Sequence, residues 1–270
     1  MMDKLEGKVA AITGGGSGIG RALAEKLASL GCPLALIDIN KERLDEVAGV
    51  LAREGLKVTT HVADMRDRDR VKALADEVVK AHGGVQILVN CAGVTAWGSF
   101  EEMSFDDFDW VLDVNLKGVI NSCRFFLPHL RKETEAHIVN VSSALGMQAV
   151  RHQVAYCTSK FAVRGFTEAL DAELDGSSIH VTVIFPGGVA TNFVADSRSP
   201  DLDAKNQFAD LVAQYSAKPD KVAAKIVKAI KKNKLRVRVG SDGFVGDWVK
   251  RAFPTGGQRM LARFVKKSMP

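Results

Sequence analysis

The sequence has no run of 18 apolar residues, and its longest apolar stretches, such as Val181 to Phe185, have the length of a strand. On that reading a membrane-spanning helix is excluded. Residues 1–8 carry Asp3, Lys4, Glu6 and Lys8 without an apolar segment, so no secretory signal is expected there. Cysteine is scarce, with four residues at 32, 91, 123 and 157 and no C-x-x-C pair. A 270-residue chain buries roughly three quarters of its unfolded surface and does not depend on disulfides. Reduced thiols in a cytoplasmic protein are the simplest reading. The six histidines form neither H-x-x-x-H nor H-E-x-x-H, and no Cys/His group has ligand spacing, so no metal site is expected. Tyrosine is the rarest residue, with only Tyr156 and Tyr215.

Neither sign of charge is missing from the chain, but the basic excess is missing from most of it. The net charge of +5 and the pI near 9.0 hint at an anionic partner. Residues 218–270, however, hold fifteen Lys/Arg and three acids, net +12, which leaves residues 1–217 at net −7. With an acidic body and no recognised binding motif, a nucleic-acid partner is not expected. In the basic end, Val245, Trp248, Val249 and Phe253 have helical spacing, followed by Met260, Leu261, Phe264 and Val265, with Arg251, Arg259, Arg263, Lys266 and Lys267 interleaved. One reading is a terminal helix that covers the pocket or a subunit partner. The other is an interfacial helix in peripheral contact with anionic lipid. The first is favoured, because docked terminal helices are common.

Short β-rich apolar runs at 9–13, 33–38, 58–62, 87–90, 137–142, 179–185 and 235–239 read as strands. Most lack period-two alternation, as strands buried on both faces do. Amphipathic segments at 19–30, 41–54, 67–82, 105–131, 156–174 and 220–233 lie between them. The alternation implies an α/β fold: a doubly wound, Rossmann-like, mostly parallel seven-stranded sheet with helices on both faces. One domain over 1–270 is expected, with a polar segment at 194–215 as a substrate lid and a basic extension at 241–270.

Thr13-Gly14-Gly15-Gly16-Ser17-Gly18-Ile19-Gly20 joins the first strand to the first helix. Glycines let such a turn close and let backbone N–H groups approach a pyrophosphate at the helix N-terminus. Asp38 ends the second strand, about 20 residues on, where a carboxylate accepts both adenosine-ribose hydroxyls and repels a 2′-phosphate. NAD is therefore favoured over NADP. Tyr156 and Lys160 lie four residues apart, on one helix face. A positive charge near a phenol favours the phenolate, so the pair is suited to exchanging a proton with an alcohol. His152, Trp97 and Phe100 are read either as lining a cleft or as ordinary loop and packing residues.

Residues 13–20, Asn90-Cys91-Ala92-Gly93, Asn115, Ser142-Ser143, Tyr156-x-x-x-Lys160 and Pro186-Gly187-Gly188-Val189-Ala190-Thr191 occur in this order, and over residues 5–240 the chain resembles the short-chain dehydrogenase/reductase family. The resemblance implies that Tyr156 is the general acid/base, that Lys160 lowers its pKa and holds the nicotinamide ribose, and that Ser143 hydrogen-bonds the substrate oxygen. It implies that Asn115 holds a water relaying protons to Lys160. Gly14, Ser17, Gly18, Ile19 and Gly20 fall at the pyrophosphate loop. Asp64 and Met65 fall where the family contacts adenine, and Asn90, Ala92 and Gly93 line the cofactor. Pro186 and Gly187 lead to Val189 and Thr191, which meet the carboxamide. Cys91 departs from the family's usual Asn-Asn-Ala-Gly. The function so implied is interconversion of a small apolar secondary alcohol and its ketone by hydride transfer with NAD, in a homodimer or homotetramer joined through the Asn115 and Tyr156 helices. The alternative is an NAD(H)-binding sensor or membrane-attached adaptor that kept the fold.

Overall fold

The computed structural model describes residues 2–52, 55–191, 193–199, 216–240, 252–253 and 255–257. Tyr215, most of the expected 194–215 lid and all but five residues of the 241–270 extension lie outside them.

Seven strands, β1 (Ala10–Thr13), β2 (Leu34–Asp38), β3 (Val58–Val62), β4 (Ile87–Asn90), β5 (Ala136–Val141), β6 (Ile179–Pro186) and β7 (Arg236–Val239), form one sheet. Their order is β3-β2-β1-β4-β5-β6-β7. Every pairing is parallel, so the expected mostly parallel sheet is entirely so. β1, β4 and β5 are buried along their whole length, which explains their lack of alternation. β3 and β7 are partly exposed edges with His61, Arg236 and Arg238 among their residues.

The helices are α1 (Gly18–Ala28), α2 (Lys41–Leu51), α3 (Arg68–His82), α4 (Phe105–Leu112), α5 (Gly118–Leu130), α6 (Val154–Glu173) and α7 (Pro219–Lys231). Leu23 and Leu27 of α1, Leu44 and Val47 of α2, and Ile226 and Ile230 of α7 share a core on one face of the sheet. Val71 and Leu74 of α3, Phe126 of α5 and Val163 of α6 build the core on the other. Side-chain caps fix several starts: Asn40, Asp67 and Ser104 accept from the backbone N–H groups of Arg43, Arg70 and Asp107. The segment expected as one helix over 105–131 is helical throughout but contains a π turn, Asp113–Lys117, between α4 and α5. α6 begins at Val154, two residues before the expected start, and His152 ahead of it has a left-handed φ of 59°. Among the described residues no helix is long and apolar enough to cross a membrane.

The strand order reverses at β1: β2 and β3 lie to one side of it, and β4 and the strands that follow lie to the other. In open α/β sheets ligands bind in the crevice at such a switch point. The register aligns Thr13 with Asn90 and Asn90 with Asn140, so the chain leaves these three strands at one edge.

Candidate active site

The glycine turn starts where β1 ends. Gly14 has φ +67°, and a Cβ there would lie 2.9 Å from the Ala92 backbone. Gly18 has φ +52° and faces Thr191, whose Cγ2 would be 3.0 Å from a Cβ on it. A Cβ on Gly20 would meet the Gly14 carbonyl, so the turn folds directly back on α1. The N-cap Ser17 makes no side-chain cap bond, and the first turn of α1 holds no acid. The helix N-terminus is left facing a cleft of about 390 Å³ lined by Gly16, Ser17, Gly18, Arg43 and Thr191, among others. Close backbone and an uncapped N-terminus whose first turn holds no acid fit the pyrophosphate of a dinucleotide.

Asp38 stands beside this turn, Oδ2 accepting from Gly16 N at 3.1 Å and Oδ1 from Asn40 N at 3.1 Å. Asp64 is held by the Arg66 guanidinium, which pushes its carboxyl below the usual range. Met65 is buried, and its carbonyl accepts from Asn121 Nδ2 at 3.0 Å. The Asn90 side chain points away from the cleft, donating to Asn140 Oδ1 at 2.8 Å and Cys123 Sγ at 3.3 Å. What Asn90 can offer a cofactor is therefore its backbone. Thr13 Oγ1 accepts from both Cys91 N and Ala92 N at 3.1 Å, so a strand-end threonine sets the β4 exit. Cys91 enters that contact through its backbone only, and burial pushes its thiol up to about 12. Ile19 packs against the core beneath the turn, as does Val189, which bridges to Ala217. Pro186 ends β6, and Gly187 N donates to Val239 O at 2.8 Å.

The remaining four residues converge. Ser143 follows β5; its Oγ accepts from Leu145 N at 3.1 Å, and its hydroxyl lies close enough to the Tyr156 phenol to act on its pKa. Lys160 Nζ donates to Val141 O at 3.0 Å and lies 5.6 Å from the Tyr156 ring centroid. Ser142 donates to the Lys160 carbonyl at 2.7 Å, locking β5 to α6. Asn115, in the π turn and fully buried, accepts from Val94 N at 2.8 Å and donates to Val94 O at 2.9 Å and Ser159 Oγ at 3.0 Å. A Cβ on Gly93 would be 3.2 Å from Asn115 Oδ1 and 3.4 Å from Lys160 Nζ, so both side chains face one point beside the β4 exit.

Burial dominates the electrostatics. It raises the Tyr156 phenol above its ordinary value, opposed by the nearby Ser143 hydroxyl. It lowers the Lys160 ammonium to about 8. The expected net favouring of the phenolate by Lys160 is therefore not present in the protein alone, because desolvation penalises both charged forms. The folded pKa of Lys160 lies below its ordinary 10.5, so between about pH 8 and 10.5 the unfolded chain holds a proton that the folded chain lacks. Its contribution to stability rises with pH over that window, by roughly 3 kcal/mol in full. The buried thiols and Tyr156 contribute with the opposite sign, so the comparison is wild type against Lys160→Met. Urea melts from about pH 7.5 to 10 are expected to show the variant gaining less stability with pH; equal slopes would contradict this.

Sequence reasoning missed the residues that cross the mouth of the cleft. The Phe193 ring lies 5.6 Å from the Tyr156 ring. Arg198 pairs with Asp107 at 3.0 Å and lies 3.9 Å over the Trp110 ring. These contacts join residues from 37 to 91 positions apart with no local pattern. His152 stacks on the buried Trp97 at 5.5 Å, whereas Phe100 is exposed.

A glycine turn at the switch point, opening a helix, together with the Ser143, Tyr156 and Lys160 group is the architecture of a dinucleotide-dependent oxidoreductase fold. The short chain dehydrogenase model matches residues 8–202, and the chain belongs to the short-chain dehydrogenase/reductase family of oxidoreductases. It is 37% identical to the Mycobacterium tuberculosis (strain H37Rv) protein SadH over 273 residues, covering all of this chain and 99% of that one. A Burkholderia phymatum short chain dehydrogenase/reductase solved in complex with NAD superposes with a TM-score of 0.88 at 32% identity, over 93% of this chain and 95% of that one. A Burkholderia cenocepacia short chain dehydrogenase in complex with NADP gives 0.78 at 29%, over 89% and 99%.

Proposed function

We propose that this enzyme interconverts a small apolar secondary alcohol and its ketone with NAD as the preferred cofactor. The observation that carries the reading is the grouping of Ser143, Tyr156 and Lys160, with Lys160 Nζ 5.6 Å from the Tyr156 ring centroid, beside the glycine turn. Gly14, Ser17, Gly18, Ile19 and Gly20 hold the pyrophosphate, Asp38 the adenosine ribose, and Asp64 and Met65 the adenine. Asn90, Ala92 and Gly93 border the cofactor through their backbone. Lys160 holds the nicotinamide ribose, and Pro186, Gly187, Val189 and Thr191 border the carboxamide.

When bound, the nicotinamide supplies the hydride acceptor or donor. The chain supplies the proton and the orientation. The carbinol oxygen lies against the Ser143 and Tyr156 hydroxyls, and Tyr156 takes its proton in oxidation and returns it in reduction. Ser143 steadies that oxygen, while the Lys160 ammonium opposes the effect of burial on the phenol. Asn115 fixes the Val94 backbone and, through Ser159, the start of α6, which keeps Tyr156 and Lys160 in register.

The same reading takes residues 1–270 as one domain in the cytoplasm, with 194–215 as lid and 241–270 as an extension. It takes the oligomer as a dimer or tetramer through the helices carrying Asn115 and Tyr156. The test is absorbance at 340 nm with NAD or NADP and a panel of secondary alcohols. Turnover is expected with NAD at a kcat/KM at least about tenfold that with NADP. Turnover with NADP alone, or with primary alcohols alone, would overturn the reading.

A further inference from the structure

α7 runs between the caps Lys218 and Lys232 and packs Val222, Ile226 and Ile230 into the core. Its outer face is a row of lysines: Lys218, Lys221, Lys225, Lys228 and Lys232 are all exposed. Spacings of three and four residues place them within a sector about 80° wide and about 21 Å long. Beyond the helix the exposed Lys234 follows, then Arg236, which pairs with Glu168 on the edge strand β7. Residues 218–240 hold nine Lys/Arg and one acid. Several bases on the other helices are answered by acids: Arg21 by Glu25 and Glu46, Lys41 by Asp45, Arg70 by Glu77 and Arg164 by Glu168. Among the described residues the five lysines of the row have no ion-pair partner.

We propose that this face of α7 docks the protein reversibly on an anionic lipid surface. A row of unpaired lysines is complementary to a plane of phosphate headgroups, and each basic residue beside such a surface strengthens binding about fivefold. The rest of the chain, net −7 over residues 1–217, is repelled by the same surface, so the molecule turns α7 towards the lipid. The residues after Gly240 add six Lys/Arg and two acids, so the charge keeps its sign beyond β7. Other occupants fit the row less well. Beside its lysines α7 exposes only Asp220 and Ala224, so it offers a protein partner no aromatic or aliphatic anchor, and lysine is depleted in protein interfaces. A second copy joined by a two-fold through α7 would set the two rows of like charge against each other. Nucleic-acid readers use arginine forks, amides or stacking aromatics, none of which stands in the row.

The experiment is flotation of the full-length protein with vesicles of phosphatidylcholine alone, or of phosphatidylcholine with about one third phosphatidylglycerol. Wild type is expected to float with the anionic vesicles only, and to be released from them by high salt. Lys225→Gln/Lys228→Gln, at the centre of the row, is expected to lower the partition coefficient about 25-fold, from two residues at about fivefold each. Lys72→Gln/Lys80→Gln makes the same charge change at exposed positions of α3, on the opposite face of the sheet, and is expected to lower it by less than about twofold. The inference is overturned if wild type does not float with anionic vesicles, or floats equally with neutral ones. Flotation undiminished in the α7 variant, or diminished equally in both variants, also overturns it. So does binding of wild type to duplex DNA without flotation, which gives the row to nucleic acid. A smaller oligomer formed by the α7 variant in gel filtration gives the row to a second copy and overturns it as well.

Discussion

Tyr156→Phe is expected to lower kcat/KM about a thousandfold while the protein stays folded and still binds NADH. The substitution keeps the ring, and with it the packing against Phe193. It removes the one hydroxyl able to exchange a proton with the substrate oxygen. General acid–base groups contribute about 10²–10⁴ in rate, which sets the scale. Ser143 still accepts from Leu145 N, so the turn after β5 keeps its cap. Loss of the hydroxyl is expected to cost at most about 1 kcal/mol, or roughly 3 °C in Tm for a chain of this size. Progress curves at 340 nm and a thermal melt check both parts. A loss below about tenfold would mean that another group carries the proton.

Gly14→Val is expected to weaken cofactor binding about a hundredfold or more. The φ of +67° is strained for any residue with a Cβ, and the Cβ would sit 2.9 Å from Cα and N of Ala92. Neither can move freely, because Ala92 N is held by Thr13 Oγ1. Strain of about 1–2 kcal/mol and overpacking of 1–3 kcal/mol both fall on the turn that presents the helix N-terminus. Gly49→Ala is the control: a Cβ on Gly49, in α2, meets nothing within 4 Å. That change is expected to leave the cofactor Kd alone and to stabilise the helix by about 0.5–1 kcal/mol. Quenching of intrinsic fluorescence by NADH separates the two variants. Equal Kd values would contradict the role given to the turn.

The sheet was legible because its central strands are buried on both faces and their sequences say so without alternation. The glycine turn was legible because glycine is demanded by backbone geometry at 14 and 18, and composition records that directly. The π turn at 113–117 was not, since one wider turn barely disturbs the apolar period of a helix read over 105–131. Tyr156 and Lys160 were visible as a spacing, but their electrostatics were not: burial, which no spacing encodes, moves both pKa values against the charged forms. Ser143 joined them only through the family resemblance, because a turn and the parallel register of β5 bring it to the helix. The contacts of Phe193, Asp196 and Arg198 are long-range pairings with no period behind them. That is why the partners of this segment, expected as a lid from residue 194 on, became apparent only in three dimensions.

The central claim, direct hydride transfer between a carbinol carbon and the cofactor with Tyr156 handling the proton, is tested most directly with an isotope. Wild-type enzyme is incubated with NAD and a secondary alcohol deuterated at the carbinol carbon, and the reduced cofactor is analysed by mass and proton NMR. The account predicts one deuterium at the nicotinamide C4 for each ketone formed, with none lost to water. Deuterium released to solvent, or ketone formed without label in the cofactor, would contradict it.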